Sequence, residues 1–510
     1  MRIDGLRLKP GESEEKLLQL AAKKMRGCRY IRILKKSLDA RDKADIRWVY
    51  SVEADKQPIP QPARTFLQVK RRPPRVIVVG SGPAGLFCAI RLLRGGIRPL
   101  VVERGGTVEE RVRQNETFFQ RHILDENCNV QFGEGGAGTF SDGKLNTQTK
   151  DVRNREVLET FVQFGAPEEI LYDSKPHIGS DLLRGVVKNM REYILEQGGD
   201  VRFHCLLQDI RVRDGKLCGA QLTDTRTGAS EVIEASELVL AIGHSSRDTF
   251  AMLERRGFAM QPREFAVGVR IEHLRERIDF AQYGAMKDLL PAADYKLVSH
   301  AAERTAFTFC MCPGGYVMPA ASEAGGVVTN GMSDFARDAA NSNSALLVQV
   351  HRSDFDRGGV LDGVAFQRRL ERAAFDAGGC SYAAPVQRVE DFLQGAPTRA
   401  FGEVLPSYAA GTAFCDLQAV LPGFVIQTLR AAIADMDRRL HGFAAPDALL
   451  TAVESRFSSP VRVLRDEKLQ SVSAAGVYPC GEGCGYSGGI TSSAADGIRV
   501  AEAICSAYGG

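Results

Sequence analysis

Gly80, Gly82 and Gly85 stand at the spacing GxGxxG, with Ser81, Pro83 and Ala84 between them. A near-continuous apolar run from Arg75 precedes the string, helically spaced residues from Gly82 to Leu93 follow it, and Glu103 ends the next apolar run, Ile97 to Val102. In such a strand-turn-helix the first glycine permits the tight turn, the second lets backbone approach a pyrophosphate, and the third lets helix and strand pack closely. The helix N-terminus then offers free N–H groups to the anion. Glu103 is placed to accept hydrogen bonds from a ribose diol, and its charge disfavours a 2′-phosphate. The chemistry this predicts is dinucleotide binding.

Gly133-Glu-Gly135-Gly-Ala-Gly138 repeats the string, but Thr139-Phe-Ser-Asp-Gly143 behind it cannot open an apolar helix, so a second dinucleotide fold fails there. Gly138 to Lys144 also mimics GxxxxGK, yet Leu145 stands where a phosphate-binding loop needs Ser or Thr to hold magnesium. What remains is a run of unobstructed N–H groups suited to wrapping a flat or anionic ligand, with Gly138 and Thr139 as candidate contacts. A third cluster, Cys480 to Ile490, leads straight into the terminal helix and aims free backbone donors at whatever lies before it. A redox ring taking up a hydride would gain about 1–2 kcal/mol from that positive helix end.

Side chains that could react are fewer. Cys310 and Cys312, or Cys480 and Cys484, could exchange electrons as thiolates. The usual CxxC or CxxxxC is missing, however, and buried cysteine is commonly an inert small hydrophobe. His177 in Pro-His-Ile-Gly and His244 in Gly-His-Ser-Ser could supply a proton near neutrality. Lys144, Arg247 and Arg270 could hold an anionic group, or serve as ion-paired cations. The catalytic candidates are therefore His177, Lys144 and Cys312. Twelve scattered cysteines without a CxxC pair give no metal site, no secreted disulfide framework and an expectation of a reducing cytoplasm.

The elements that must position these residues follow from periodicity. Residues 1–56 read as strand, amphipathic helix and two strands, a small α+β module. Five prolines between Pro58 and Pro74 make 57–74 a semi-extended linker. Residues 75–254 carry the strand-helix-strand unit, helices near 154–164 and 181–197, and short strands up to Ile242. Residues 255–465 read as an inserted α+β domain, in which Asn341-Ser-Asn-Ser caps a helix from Ala345 to Val350. Residues 466–510 return with a short strand at Val477 and a terminal helix, so the dinucleotide domain is discontinuous. The 510 residues allow two to four domains, and 51 glycines exceed the usual share of about 7%. No repeat and no apolar stretch long enough to span a membrane is present. Residues 1–72 hold 19 Lys and Arg against 9 Asp and Glu, a net of +10, which leaves −7 for the rest. That basic head could steer RNA, an acidic partner or an anionic surface to the body, although it lacks clustered aromatic residues for base stacking.

Strand-GxGxxG-helix-strand-Glu near the start, a lone strand ending at Ala241 and Gly243, and Gly-Glu-Gly before the final helix together resemble the glutathione-reductase-like FAD-binding fold. More closely, GEGGAGTFSDGKL, KPHIGSDLL, AIGHSSRDTF, FCMCPGGYV and YPCGEGCGYSGGI resemble the bacterial family of FAD-dependent dehydrogenases. The resemblance implies an α/β Rossmann FAD-binding domain with an inserted substrate domain, and tight, noncovalent FAD. It implies that Gly80 to Gly85 form the pyrophosphate turn and that Glu103 with Arg104 take the adenosine ribose. Leu207 would touch adenine through its backbone, and Ala241 and Gly243 would form a second contact. Gly481 and Glu482 would reach the pyrophosphate and ribityl chain, and Gly489 and Ile490 the flavin ring; Glu482 departs from the usual Asp. The function implied is hydride transfer between FAD and a small-molecule substrate, with NAD(P)H as at most a transient donor. The alternatives are a flavoprotein bound to RNA or a protein partner through residues 1–72, a disulfide reductase or hydroxylase, and FAD as a structural or sensing group. The only tryptophan, Trp48, lies in the head, so the Trp signature of flavin halogenases is absent from the body.

Overall fold

The structure is a computed structural model that describes residues 1–60, 64–71 and 73–509; part of the expected linker 57–74, and Gly510, lie outside the described residues. Val76–Val79, Pro99–Val102 and Glu237–Leu240 are four-residue strands buried at every position, as expected where a parallel sheet is covered on both faces. With Val477–Pro479 and Asp200–Arg202 they form a five-stranded parallel sheet. Its order runs from Val477–Pro479 through Glu237–Leu240, Val76–Val79 and Pro99–Val102 to Asp200–Arg202.

The strand period of two splits its core. Val76 and Val78 pack against helices Pro83–Arg94, Arg153–Gln163, Ser180–Glu196 and Ile490–Tyr508. Ile77 and Val79 face a three-stranded antiparallel sheet, Cys205–Arg213, Lys216–Asp224 and Ser230–Glu234. The chain is thus a mixed α/β fold.

A seven-stranded sheet draws its strands from residues 265–454. Phe265–Leu274 and Asn341–Val350 pair antiparallel over ten residues, from Phe265 opposite Val350 to Leu274 opposite Asn341. The expected helix at Ala345–Val350 is therefore a strand. A short apolar run carries no period that separates the two, and here both faces are buried. Residues 1–55 form a three-stranded sheet with helix Lys16–Lys24 laid on it through Leu17 and Ala21. This module leans on the body where Lys36 N–H donates to the Tyr172 carbonyl and Lys43 Nζ to that of Ala281. Among the described residues no helix is long and apolar enough to cross a membrane.

Candidate functional site

The strand-to-helix turn closes as the glycines require. Gly80 has φ +98°, and a Cβ there would stand 2.3 Å from the Ala241 carbonyl oxygen. One on Gly85 would stand 1.8 Å from the Gly80 oxygen, so Gly85 serves the packing of helix on strand and does not line the cleft. Gly82, by contrast, faces open space, its nearest neighbour being Gly136 Cα at 3.7 Å from a built Cβ. No side chain caps helix Pro83–Arg94 at Gly82 or helix Ile490–Tyr508 at Gly489.

The second glycine cluster bridges these two helix starts. A Cβ on Gly138 would come 3.1 Å from Ile490 Cγ1, and Thr491 Oγ1 donates to the Leu145 carbonyl at 2.8 Å. What holds this loop escaped the sequence reading: Arg111, fully buried, donates to the carbonyls of Asn129, Val130, Glu134 and Gly136 at 2.5–3.2 Å. Burial lowers the guanidinium to about 10. Its only sequence signal is an arginine on an otherwise ordinary amphipathic helix.

All three clusters open on one cleft. Gly80, Gly82, Pro83, Ala84, Glu103, Arg104, Gly138, Leu207, Ala241, Gly243, Glu482, Gly489 and Ile490 line it, with Lys144 and Cys312. Four expected contacts turn inward instead. Ser81 N–H and Oγ both donate to Glu103 Oε2 at 2.9 Å. Gly85 is spent on packing. Thr139 is buried, its hydroxyl on the Glu134 carbonyl. Gly481 N–H donates to Asp496 at 2.8 Å, a partner the sequence did not offer. Glu103 also differs from expectation: its Oε1 accepts from Gly105 and Gly133 at 3.0 Å each, so four protein donors fill its carboxylate.

Of the catalytic candidates, His177 stands away from the cleft lining, stacked on Phe335 at 5.3 Å with its Nε2 bonded to the Phe335 carbonyl. Burial pushes it below the ordinary histidine range. Lys144 reaches the rim but is held by Asp142 at 2.5 Å and by the Met311 carbonyl. Cys312 is buried, its thiol donating to the Cys310 carbonyl at 3.2 Å, and burial raises its pKa. Cys480 and Cys484 are buried free thiols, also raised. None is a ready thiolate.

Glu454 and Phe457 reach the cleft unannounced; Cys310 and His244, both candidates in the sequence, line it too, His244 lowered to about 3 by burial and by Arg456 and Arg247. Arg247 is no ligand group, being bound to Glu371, Glu323 and Gln367. Arg270 is fully buried behind the cleft wall. Glu482 lines the cleft, pushed up to about 7 by burial.

Comparison with known proteins gives this arrangement its place. Residues 74–121 match a family described as an FAD binding domain, 264–457 one described as FAD-dependent protein, C-terminal domain-like, and 1–55 a domain of unknown function. A protein from Clostridium beijerinckii, described as uncharacterized, is 44% identical over 493 residues, covering 92% of this chain and 91% of that one.

The chain belongs to this FAD-dependent protein family.

Among solved structures, a flavoprotein/dehydrogenase from Cytophaga hutchinsonii is similar at 13% identity and a TM-score of 0.38, over 85% of this chain and 76% of that one. CtdE in complex with FAD is similar at 12% and 0.33, over 86% and 84%. For a member of an FAD-dependent family, the donor set is apt. Two uncapped helix N-termini suit a diphosphate and an electron-accepting ring, and backbone without side chains suits close approach.

Proposed function

We propose that the protein is an oxidoreductase that holds FAD noncovalently and extended along the cleft, and that moves a hydride between FAD and a small molecule. In this reading residues 75–254 and 466–510 form the cofactor domain, 255–465 the substrate side, and 1–56 a docking module joined through 57–74. The observation that carries it is the convergence of two helix N-termini, at Gly82 and Gly489, on a single glycine-walled cleft.

The first helix end receives the pyrophosphate, with Gly82 letting it approach. Arg104 and the backbone of Leu207 take the adenosine end, while Glu103 shapes the turn by gathering the amides of Ser81, Gly105 and Gly133. Glu482, Ala241 and Gly243 flank the middle. The N-terminus at Gly489 and Ile490 stabilises negative charge on the reducible ring. Bound FAD supplies the hydride chemistry; the chain positions the substrate against it and keeps water out, with Phe309, Cys310 and Phe457 walling the far end.

The purified protein is expected to carry the visible absorption of oxidised flavin through gel filtration. Protein that is colourless, and stays so after incubation with FAD, overturns the proposal. With no second dinucleotide turn in the sequence, NADH or NADPH alone should reduce the flavin slowly. Fast bleaching in stopped flow would reassign the protein as a reductase or hydroxylase.

A further inference from the structure

We propose that Glu454 is the proton acceptor of the cleft: as a hydride leaves a substrate carbon for FAD, Glu454 Oε2 takes the proton from the O–H or N–H on that carbon, so the substrate is a small alcohol or amine. The inference rests on the FAD reading above. The C–H bond breaks with its electron pair going to FAD, and the O–H or N–H bond breaks with its proton going to the carboxylate. A C=O or C=N bond forms; the substrate loses two electrons and FAD gains them. In reverse the same carboxyl donates the proton.

Glu454 ends the strand Leu449–Glu454 and is paired in register with Gly268. It is 7% exposed, yet it lines the cleft, as do Cys310, Asn330, Gly331 and Phe457 of the 255–465 segment. Its Oε2 has no hydrogen-bond partner among the described residues. The nearest cation, Arg270 Nη1, lies 3.8 Å from Oε1, too far for a good hydrogen bond. Arg270 is tied elsewhere, to Asn343 Oδ1 at 2.5 Å and to the Cys310 carbonyl at 3.0 Å, so its charge acts on Glu454 as a fixed field. Gly331 makes room for that guanidinium, since a Cβ there would stand 1.9 Å from Nη2.

Other acids at the cleft are committed or lie elsewhere. Glu103 is filled by four donors and Asp142 pairs with Lys144 and Arg337 at 2.5 Å each; Glu482, also raised to about 7, belongs to the stretch that the proposed function sets along the middle of FAD. The groups that bear on Glu454 are Arg270, Cys310 and the Thr329 hydroxyl, which favours the ionised form; Lys144, His244, Arg456 and Glu482 share the cleft wall. Burial raises the Glu454 carboxyl to about 7 against the opposing pull of Arg270. Both its forms are then populated at neutral pH, as acid–base work requires.

The test uses the holoprotein, with flavin absorbance followed from about pH 5 to 9, a window spanning ordinary and raised carboxyl values. Wild type should show a spectral step near neutrality. Glu454→Gln, with the same FAD content, should lose it, and the surface variant Glu467→Gln should keep it. The midpoint potential of Glu454→Gln should also fall less steeply with pH, because one proton taken up on reduction is gone. A wild type without the step, or a step and slope unchanged in Glu454→Gln, overturns the inference while leaving FAD binding intact. A protein that never binds FAD overturns the reading beneath it instead.

Discussion

Replacing Gly82 by valine should empty the protein of flavin while leaving it folded. At Gly82 φ is −73°, which valine adopts without strain, and the added Cβ meets only Gly136 Cα at 3.7 Å, an ordinary contact. The cost to the fold is the weaker helix cap, about 1 kcal/mol, or roughly 2–4 °C in Tm for a unit of this size. The cofactor loses more. The side chain stands where the pyrophosphate must approach, removing about 1–2 kcal/mol of helix-end attraction and forcing the phosphates outward by a comparable penalty. A total near 3 kcal/mol weakens Kd roughly a hundredfold.

Gly85→Ala is the opposite case. Its Cβ would stand 1.8 Å from the Gly80 oxygen and 3.0 Å from the Gly80 carbonyl carbon, backbone that cannot yield. The penalty should exceed the about 1–3 kcal/mol of ordinary overpacking. FAD content after gel filtration, an FAD titration of the stripped protein, and thermal melts with and without FAD read both variants. A yellow Gly82→Val with wild-type affinity, or a Gly85→Ala as stable as wild type, would refute the reasoning.

Glu103→Ala should strand the amides of Ser81, Gly105 and Gly133, at about 1–3 kcal/mol for each buried donor left unpaired; a thermal melt should show a drop well beyond that of Gly82→Val. Glu371 is buried between Arg247 and Arg456, whose charges hold it far below its ordinary value of 4.5. Its contribution is present above pH 4.5 and drains away as pH falls toward the folded-state value. Glu371→Gln should therefore lose about 3–5 kcal/mol at neutral pH and show a flatter Tm between neutral and acid pH, seen in melts across that range. His177→Ala should keep wild-type flavin content and flavin spectrum, with stability lowered by about 1 kcal/mol for the lost hydrogen bond and stacking; a bleached or spectrally shifted variant would return His177 to the site.

The turn at Gly80 to Gly85 is legible because a left-handed Gly80 and a Gly85 packed on the Gly80 carbonyl are local demands of one strand-turn-helix, although Gly80 and Gly82 also meet Ala241 and Gly136 from elsewhere in the chain. Glu103 was found but its role was not. Its four donors come from three separate loops, and no local pattern says which amides will face a carboxylate. The partners of the Ser81 and Gly481 N–H groups, Glu103 and Asp496, are hidden from local sequence for the same reason. Glu454 and Arg270 were harder still: they meet across adjacent strands 184 positions apart, and a single acid in an apolar run gives no hint of the side it faces. The strand Asn341–Val350 was misread because burial on both faces erases the alternation that would mark it.

The five-stranded sheet takes its outer strand from Val477–Pro479, and the cleft takes one wall from residues 480–493. During synthesis these residues leave the ribosome long after the turn at Gly80. The nascent chain therefore carries half a binding site through most of its translation, with the edge of Glu237–Leu240 unpaired. Flavin capture must then be a late event, and truncations near the C-terminus should be cleared by proteases before any colour develops.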